Sequence, residues 1–162
     1  MLRSPRVWLY AAGGWLILAG LAHAGAHVWT LVLENGMVGL REFAMNAMKQ
    51  TQSGDPLSPS LWRVFRAYSV SFSLLLLFSG IVNLVLAAGG APARTLRVMA
   101  LFGTVFWTVA FIPFAFIDPV IQPIVVAIVA VPLHALVYIT ASEEALNART
   151  APTTRSMSDS SL

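Results

Sequence analysis

The stretch AYSVSFSLLLLFSGIVNLVLAA, residues 67–88, decides the fold. It contains no Lys, Arg, Asp or Glu, and Arg63 and Arg66 stand just before it. Its length matches the roughly 30 Å hydrocarbon core of a bilayer at 1.5 Å of helix rise per residue. Gly89-Gly90-Ala91-Pro92 follows as a turn. Working outward, three further apolar blocks appear: Val7–Leu33, Val98–Ile117 and about Val120–Thr140. Asp118-Pro119 makes a very tight connection between the last two, and short connections join antiparallel neighbours. The first block spans about 40 Å and must tilt or project. The expected fold is all-α: a four-helix transmembrane bundle with helices over 7–33, 67–88, 98–117 and 120–140.

Composition agrees. Of 162 residues, 57% are hydrophobic and only 10% charged, against roughly 25% charged in an average soluble domain. A soluble fold could not cover its core with so few charges. The formal charge is +3, but the basic residues flank the apolar blocks, where they meet lipid headgroups. No basic face with stacking aromatics is present, so nucleic acid is not an expected partner. The absence of cysteine excludes disulfides, thiolate nucleophiles, Cys-ligated zinc and iron–sulfur clusters.

The connection 34–60 is the only long one. Within it, 38–51 reads as an amphipathic helix, with Leu40, Phe43, Ala44, Ala47 and Met48 on one face. Such a helix rests in the membrane interface or caps the bundle. Gly54-Asp55-Pro56 ends it, and Ser58 or Ser60 is placed to cap the next helix. Residues 1–144 form one membrane domain in this reading. Residues 145–162, rich in Ser, Thr and Arg, form a disordered polar tail.

Arg3, Arg6 and Ala22-His23-Ala24 also fit a cleavable leader. The apolar stretch, however, exceeds the usual roughly 7–15 residues and continues past the site to Leu33, so the helix is retained. Cleavage would remove His23. Four spans put both termini on one side, with Arg3, Arg6, Arg94, Arg97, Arg149 and Arg155. The other side carries Arg41, Lys49, Arg63 and Arg66. The balance favours cytoplasmic termini and a multi-pass place in the cell inner membrane.

Polar residues within the spans are costly to bury without partners and so carry the functional information. Gly20, His23, His27, Thr30 and Glu34 share one face of the first helix by 3/4 spacing. The second helix offers Arg66, Ser69, Ser73, Gly80 and Asn83. The third offers Thr104 and Thr108, and the fourth Ala127, Ala130, His134 and Tyr138. Together with Glu34 and Arg63, the residues Arg66, Asn83 and Tyr138 define a polar stripe. The plain reading is structural: small residues permit close packing, and hydroxyls bond their own helix backbone. Glu34, at the membrane edge, reads more simply as a solvated loop carboxylate.

The sharper readings use the histidines. His23 and His27, four apart, can converge on a divalent metal, with His134 or Glu34 as a third ligand. A haem held between two helices is the other arrangement. For it, His23 and His134 differ in depth by roughly 7 Å. Neither cofactor is favoured over packing. Pro113 and Pro132 interrupt the backbone bonding of their helices. No nucleophile elbow, phosphate loop or paired intramembrane carboxylate is present. No inverted repeat of the transporter kind is present either.

Gly20-Leu21-Ala22-His23, Leu61-Trp62-Arg63 and the Ser-rich start of the second helix resemble a family of small four-helix bacterial integral membrane proteins with no assigned activity. Its pattern is Gly-x-x-His in the first helix and Leu-Trp-Arg opening the second. The resemblance covers about residues 10–85, and His27 and His134 lie outside the pattern. It implies the architecture, gives His23 and Arg63 a shared role and supplies no mechanism.

The leading expectation is a non-enzymatic multi-pass protein, a structural or interaction subunit or a small-ligand binder. Its partners would be the lipid bilayer and either a second copy of itself or other membrane subunits. One alternative is a haem- or metal-binding electron carrier or enzyme using the intramembrane histidines. Another is a lipid- or isoprenoid-modifying enzyme with histidine as acid and base.

Overall fold

The computed structural model describes residues 4–33, 39–51, 60–116 and 121–150. These form five helices: α1 (Pro5–Leu33), α2 (Leu40–Gln50), α3 (Leu61–Ala88), α4 (Ala93–Phe116) and α5 (Ile121–Thr150). No strand occurs among the described residues. Four of the helices are long and apolar enough to cross a membrane, and the shorter α2 lies between the first and second of them. The expected all-α class with four spans and one intervening helix is therefore present, and the chain is built as a multi-pass membrane protein.

The helices outrun the apolar blocks that announce them. Pro5 opens α1, where a missing N–H costs nothing. Helix α3 starts at Leu61 rather than 67, so Arg63 and Arg66 belong to its first two turns. Its 28 residues span about 42 Å, more than the hydrocarbon core. Helix α5 continues to Thr150, so 145–150 are helical and not part of a disordered tail. Glu143, Glu144, Ala145, Leu146 and Ala148 are good helix formers, and a charged segment can extend a span into water. Residues 151–162 lie outside the described residues, as do Ser58, Gly54-Asp55-Pro56 and Asp118-Pro119. Both α4 and α5 run on through their prolines, Pro113 and Pro132.

The chain divides into two compact units: Met1–Leu9 with Leu86–Leu162, and Tyr10–Val85. In the first, Leu9, Ala87, Leu96, Ala100, Val137 and Ala141 form the core, with Trp8, Leu86, Ala91 and Tyr138 packed on it. The turn into α4 is closed by Ala91 N–H donating to the Leu86 carbonyl at 3.3 Å, while Gly90 takes φ 66°. That left-handed geometry is why glycine stands there. In the second unit, α1 and α3 approach closely at two glycines. A Cβ on Gly80 would lie 2.8 Å from the Gly13 carbonyl oxygen, and one on Gly13 would lie 2.9 Å from the Gly80 carbonyl oxygen. Small residues let membrane helices pack this tightly.

Polar side chains are buried beside the apolar core, and many large apolar side chains lie open. Ser69, Ser73, Asn83, His134 and Thr140 are buried, while Leu18, Phe78, Val85, Phe102, Val109 and Ile128 are exposed. Lipid tails solvate the latter as well as a core would. In α2, Leu40 and Phe43 are 84% and 71% exposed, and the buried residue is Met45. The apolar face thus lies open, in keeping with a helix that rests in an interface. Trp62 is buried and stacks on Phe65 at 5.7 Å between ring centroids.

Candidate functional site

Within the unit Tyr10–Val85, the polar faces of α1 and α3 meet. Thr51 sets the start of α3. Its hydroxyl donates to the Met48 carbonyl at 2.7 Å and accepts from the Leu61 N–H at 3.2 Å, closing α2 and capping α3 together. Ser60 contributes its carbonyl, which accepts from the N–H groups of Arg63 and Val64. The Leu61 N–H is thus met by a hydroxyl ten residues earlier, one that only the tertiary arrangement brings in; Ser58, an expected cap, lies outside the described residues.

One turn after Arg66, Ser69 faces His23. The imidazole Nε2 and the Ser69 hydroxyl are 3.0 Å apart. Phe72 meets the same ring edge-on at 5.2 Å between centroids. The other ring nitrogen, Nδ1, is buried and has no hydrogen-bond partner among the described residues. Leaving such a group unpaired costs on the order of 1–3 kcal/mol. His27, one turn further along α1, lines an open groove of about 480 Å³ with Arg63, Arg66, Ala67, Val70 and Ser71. Arg63, Arg66, Ala67 and Val70 share a face of α3 by 3/4 spacing, so the groove has two guanidinium groups over an apolar floor. Both arginines are exposed.

His134 is different. Its Nδ1 lies 2.7 Å from the Ala130 carbonyl of its own helix and therefore donates to it. Its ring rests on Gly103 of α4, where a Cβ would lie 2.7 Å from Nε2. Gly103 and His134 each lie fourteen residues out from the connection 117–120, the register of a tight antiparallel pair. The ring fills the space a side chain at 103 would occupy, and only 3% of it is exposed.

The structure therefore brings His27, Arg63 and Arg66 together, with His23 and Ser69 one turn along. Asn83 is buried near the far end of α3, seventeen residues from Arg66. Tyr138 belongs with α4 and α5, where the Arg97 guanidinium lies 5.7 Å from its ring centroid. Glu34 lies outside the described residues. Among the described residues, no three His, Asp or Glu side chains gather as a metal site. Several hydroxyls serve their own helices: Ser73, Thr104, Thr108, Thr140 and Ser142 each donate to a carbonyl one turn back. The Ser69 hydroxyl instead reaches a histidine.

Two residues escaped the sequence reading, which does not single out Gly13 and uses Arg97 only as a marker of orientation. Gly13 stands seven residues before Gly20 on the same face. No spacing in the sequence pairs Arg97 with Tyr138; the packing of α4 on α5 brings them together. No family model, curated protein or solved structure matches the chain.

Proposed function

We propose that the chain is a non-enzymatic multi-pass subunit of a bacterial inner membrane that binds a small ligand at the polar seam of α1 and α3. Membership of the small four-helix family with Gly-x-x-His and Leu-Trp-Arg is part of this proposal. The observation that carries it is the pairing of a basic groove with a half-satisfied histidine. His27, Arg63 and Arg66 line the groove, and His23, one turn along, has a buried Nδ1 with no hydrogen-bond partner among the described residues. A buried imidazole nitrogen of this kind gains most from a ligand that brings its own hydrogen-bonding group. The arginines favour a ligand with anionic or carbonyl oxygen character, and Ala67 and Val70 favour one with an apolar body.

The test is native mass spectrometry of the full chain released from membranes in mild detergent, with an absorbance spectrum before and after dithionite on the same sample. The proposal expects a small, colourless adduct on the wild type that is lost in Arg66→Ala and in His27→Ala. An adduct-free spectrum from every preparation overturns it. A Soret band that shifts on reduction replaces it with an electron carrier, and His23→Ala is then the variant expected to change the band.

A further inference from the structure

A second basic groove lies in the other unit and takes no part in the proposal above. Arg94, Arg97, Val98 and Leu101 of α4, with Tyr138 and Ala145 of α5, line a groove of about 380 Å³. Three features set it apart from a scatter of surface arginines. First, Arg97 is held in place: its guanidinium carbon lies 5.7 Å from the centre of the Tyr138 ring, and its Nε is buried with no hydrogen-bond partner among the described residues. A guanidinium fixed on an aromatic face loses little further freedom when it binds. Second, Arg94 precedes it by one turn on the same face, so two forks open on one space. Glu143 and Glu144 of α5 are exposed nearby in sequence, and neither forms an ion pair with these arginines. Third, Val98 and Leu101, 61% and 52% exposed, continue the groove along the apolar part of α4.

We infer that this groove binds the phosphate group of an anionic membrane lipid, with Arg94 and Arg97 on the phosphate oxygens and an acyl chain along Val98 and Leu101. Phosphate suits two guanidinium forks, each offering parallel N–H donors. The apolar extension distinguishes an amphiphile from a free phosphate. The residues lie at the start of α4, where basic side chains reach headgroup depth. Tyr138 is a positioning residue that holds the Arg97 fork flat.

The test uses the full chain in nanodiscs of phosphatidylcholine doped with phosphatidic acid, followed by native mass spectrometry of the lipids retained after release. The wild type is expected to retain phosphatidic acid over phosphatidylcholine. Arg97→Ala is expected to lower that retention about tenfold, the effect of losing a charge-assisted bond. Arg94→Gln, at an exposed position, is expected to lower it severalfold, and it carries the test if Arg97→Ala does not fold. Arg155→Ala removes equal charge and is expected to leave retention unchanged. A parallel arm offers inorganic phosphate to delipidated protein. Binding there with the same sensitivity to both arginines supports a phosphate site that takes soluble phosphate as well. Retention that falls equally in Arg155→Ala, or that neither arginine variant changes, overturns the inference.

Discussion

The α1/α3 pair and the α4/α5 pair both carry glycine and histidine on their contacting faces, and they use them in opposite ways. In α4/α5 the glycine accommodates the histidine: the His134 ring lies on Gly103, and its Nδ1 is bonded within its own helix. In α1/α3 the glycines accommodate each other, Gly13 against Gly80, and His23 bonds a serine hydroxyl, its other nitrogen having no partner among the described residues. A buried imidazole whose donor is satisfied one turn back and whose edge fills a glycine notch is a packing element. One that bonds a neighbouring side chain, and whose other nitrogen has no partner among the described residues, is the one the proposal assigns to a ligand. The lesson is that intramembrane polarity alone does not mark function; how the polar group is satisfied does.

The largest expected effect tests the glycine contact of α1 with α3. Gly80→Ala sets a methyl 2.8 Å from a backbone carbonyl that cannot swing away. It should destabilise the protein by about 3 kcal/mol, at the upper end for overpacking, read as lost resistance to heat in detergent. If Gly80→Ala is neutral, the two helices do not cross there. Next comes Gly103→Ala, which meets a ring and not backbone, and should cost about 2 kcal/mol. Because the obstacle is His134, adding His134→Ala should recover most of that loss, and a double-mutant cycle measures the coupling. Strictly additive losses would break the contrast drawn between the two histidines.

Smaller effects sharpen it. Ser69→Ala leaves His23 Nε2 without its partner and should cost about 1 kcal/mol. Combined with His23→Leu, most of that cost should vanish. Thr108→Val, by contrast, removes a hydroxyl that serves only its own exposed helix turn, and the melting temperature should stay where it is. A clear loss at Thr108 would mean that backbone-bonded hydroxyls here also join helices.

The spans were legible because charge-free length is a property of sequence alone, as residues 67–88 display. Their ends were not. Arg63 and Arg66 look like the limit of a block, yet arginine is a good helix former and its long side chain reaches water from inside the first turns of α3. Glu143 and Glu144 hid the extension of α5 in the same way. The 3/4 spacing placed His23, His27 and Arg66 on the faces that do line the candidate site. Spacing could not say which hydroxyl would meet His23, since Ser69 and Ser73 lie on the same face of α3 and the axial register of α1 against α3 decides between them. Nor could it separate His134, whose partner is a carbonyl every helix possesses. Thr51, capping a helix ten residues away, depends on a fold-level contact that no local pattern carries.

The central claim is that His23 is open to a ligand and His134 is closed. The most direct measurement is the nitrogen-15 NMR spectrum of histidine-labelled protein in nanodiscs. It would be recorded first in synthetic phosphatidylcholine and again after adding a total lipid and small-molecule extract of the host membrane, with resonances assigned by His23→Gln and His134→Gln. The account predicts that the ring nitrogens of His23 shift on adding the extract while those of His134 hold their positions. Shifts at His134 with His23 unmoved would contradict it.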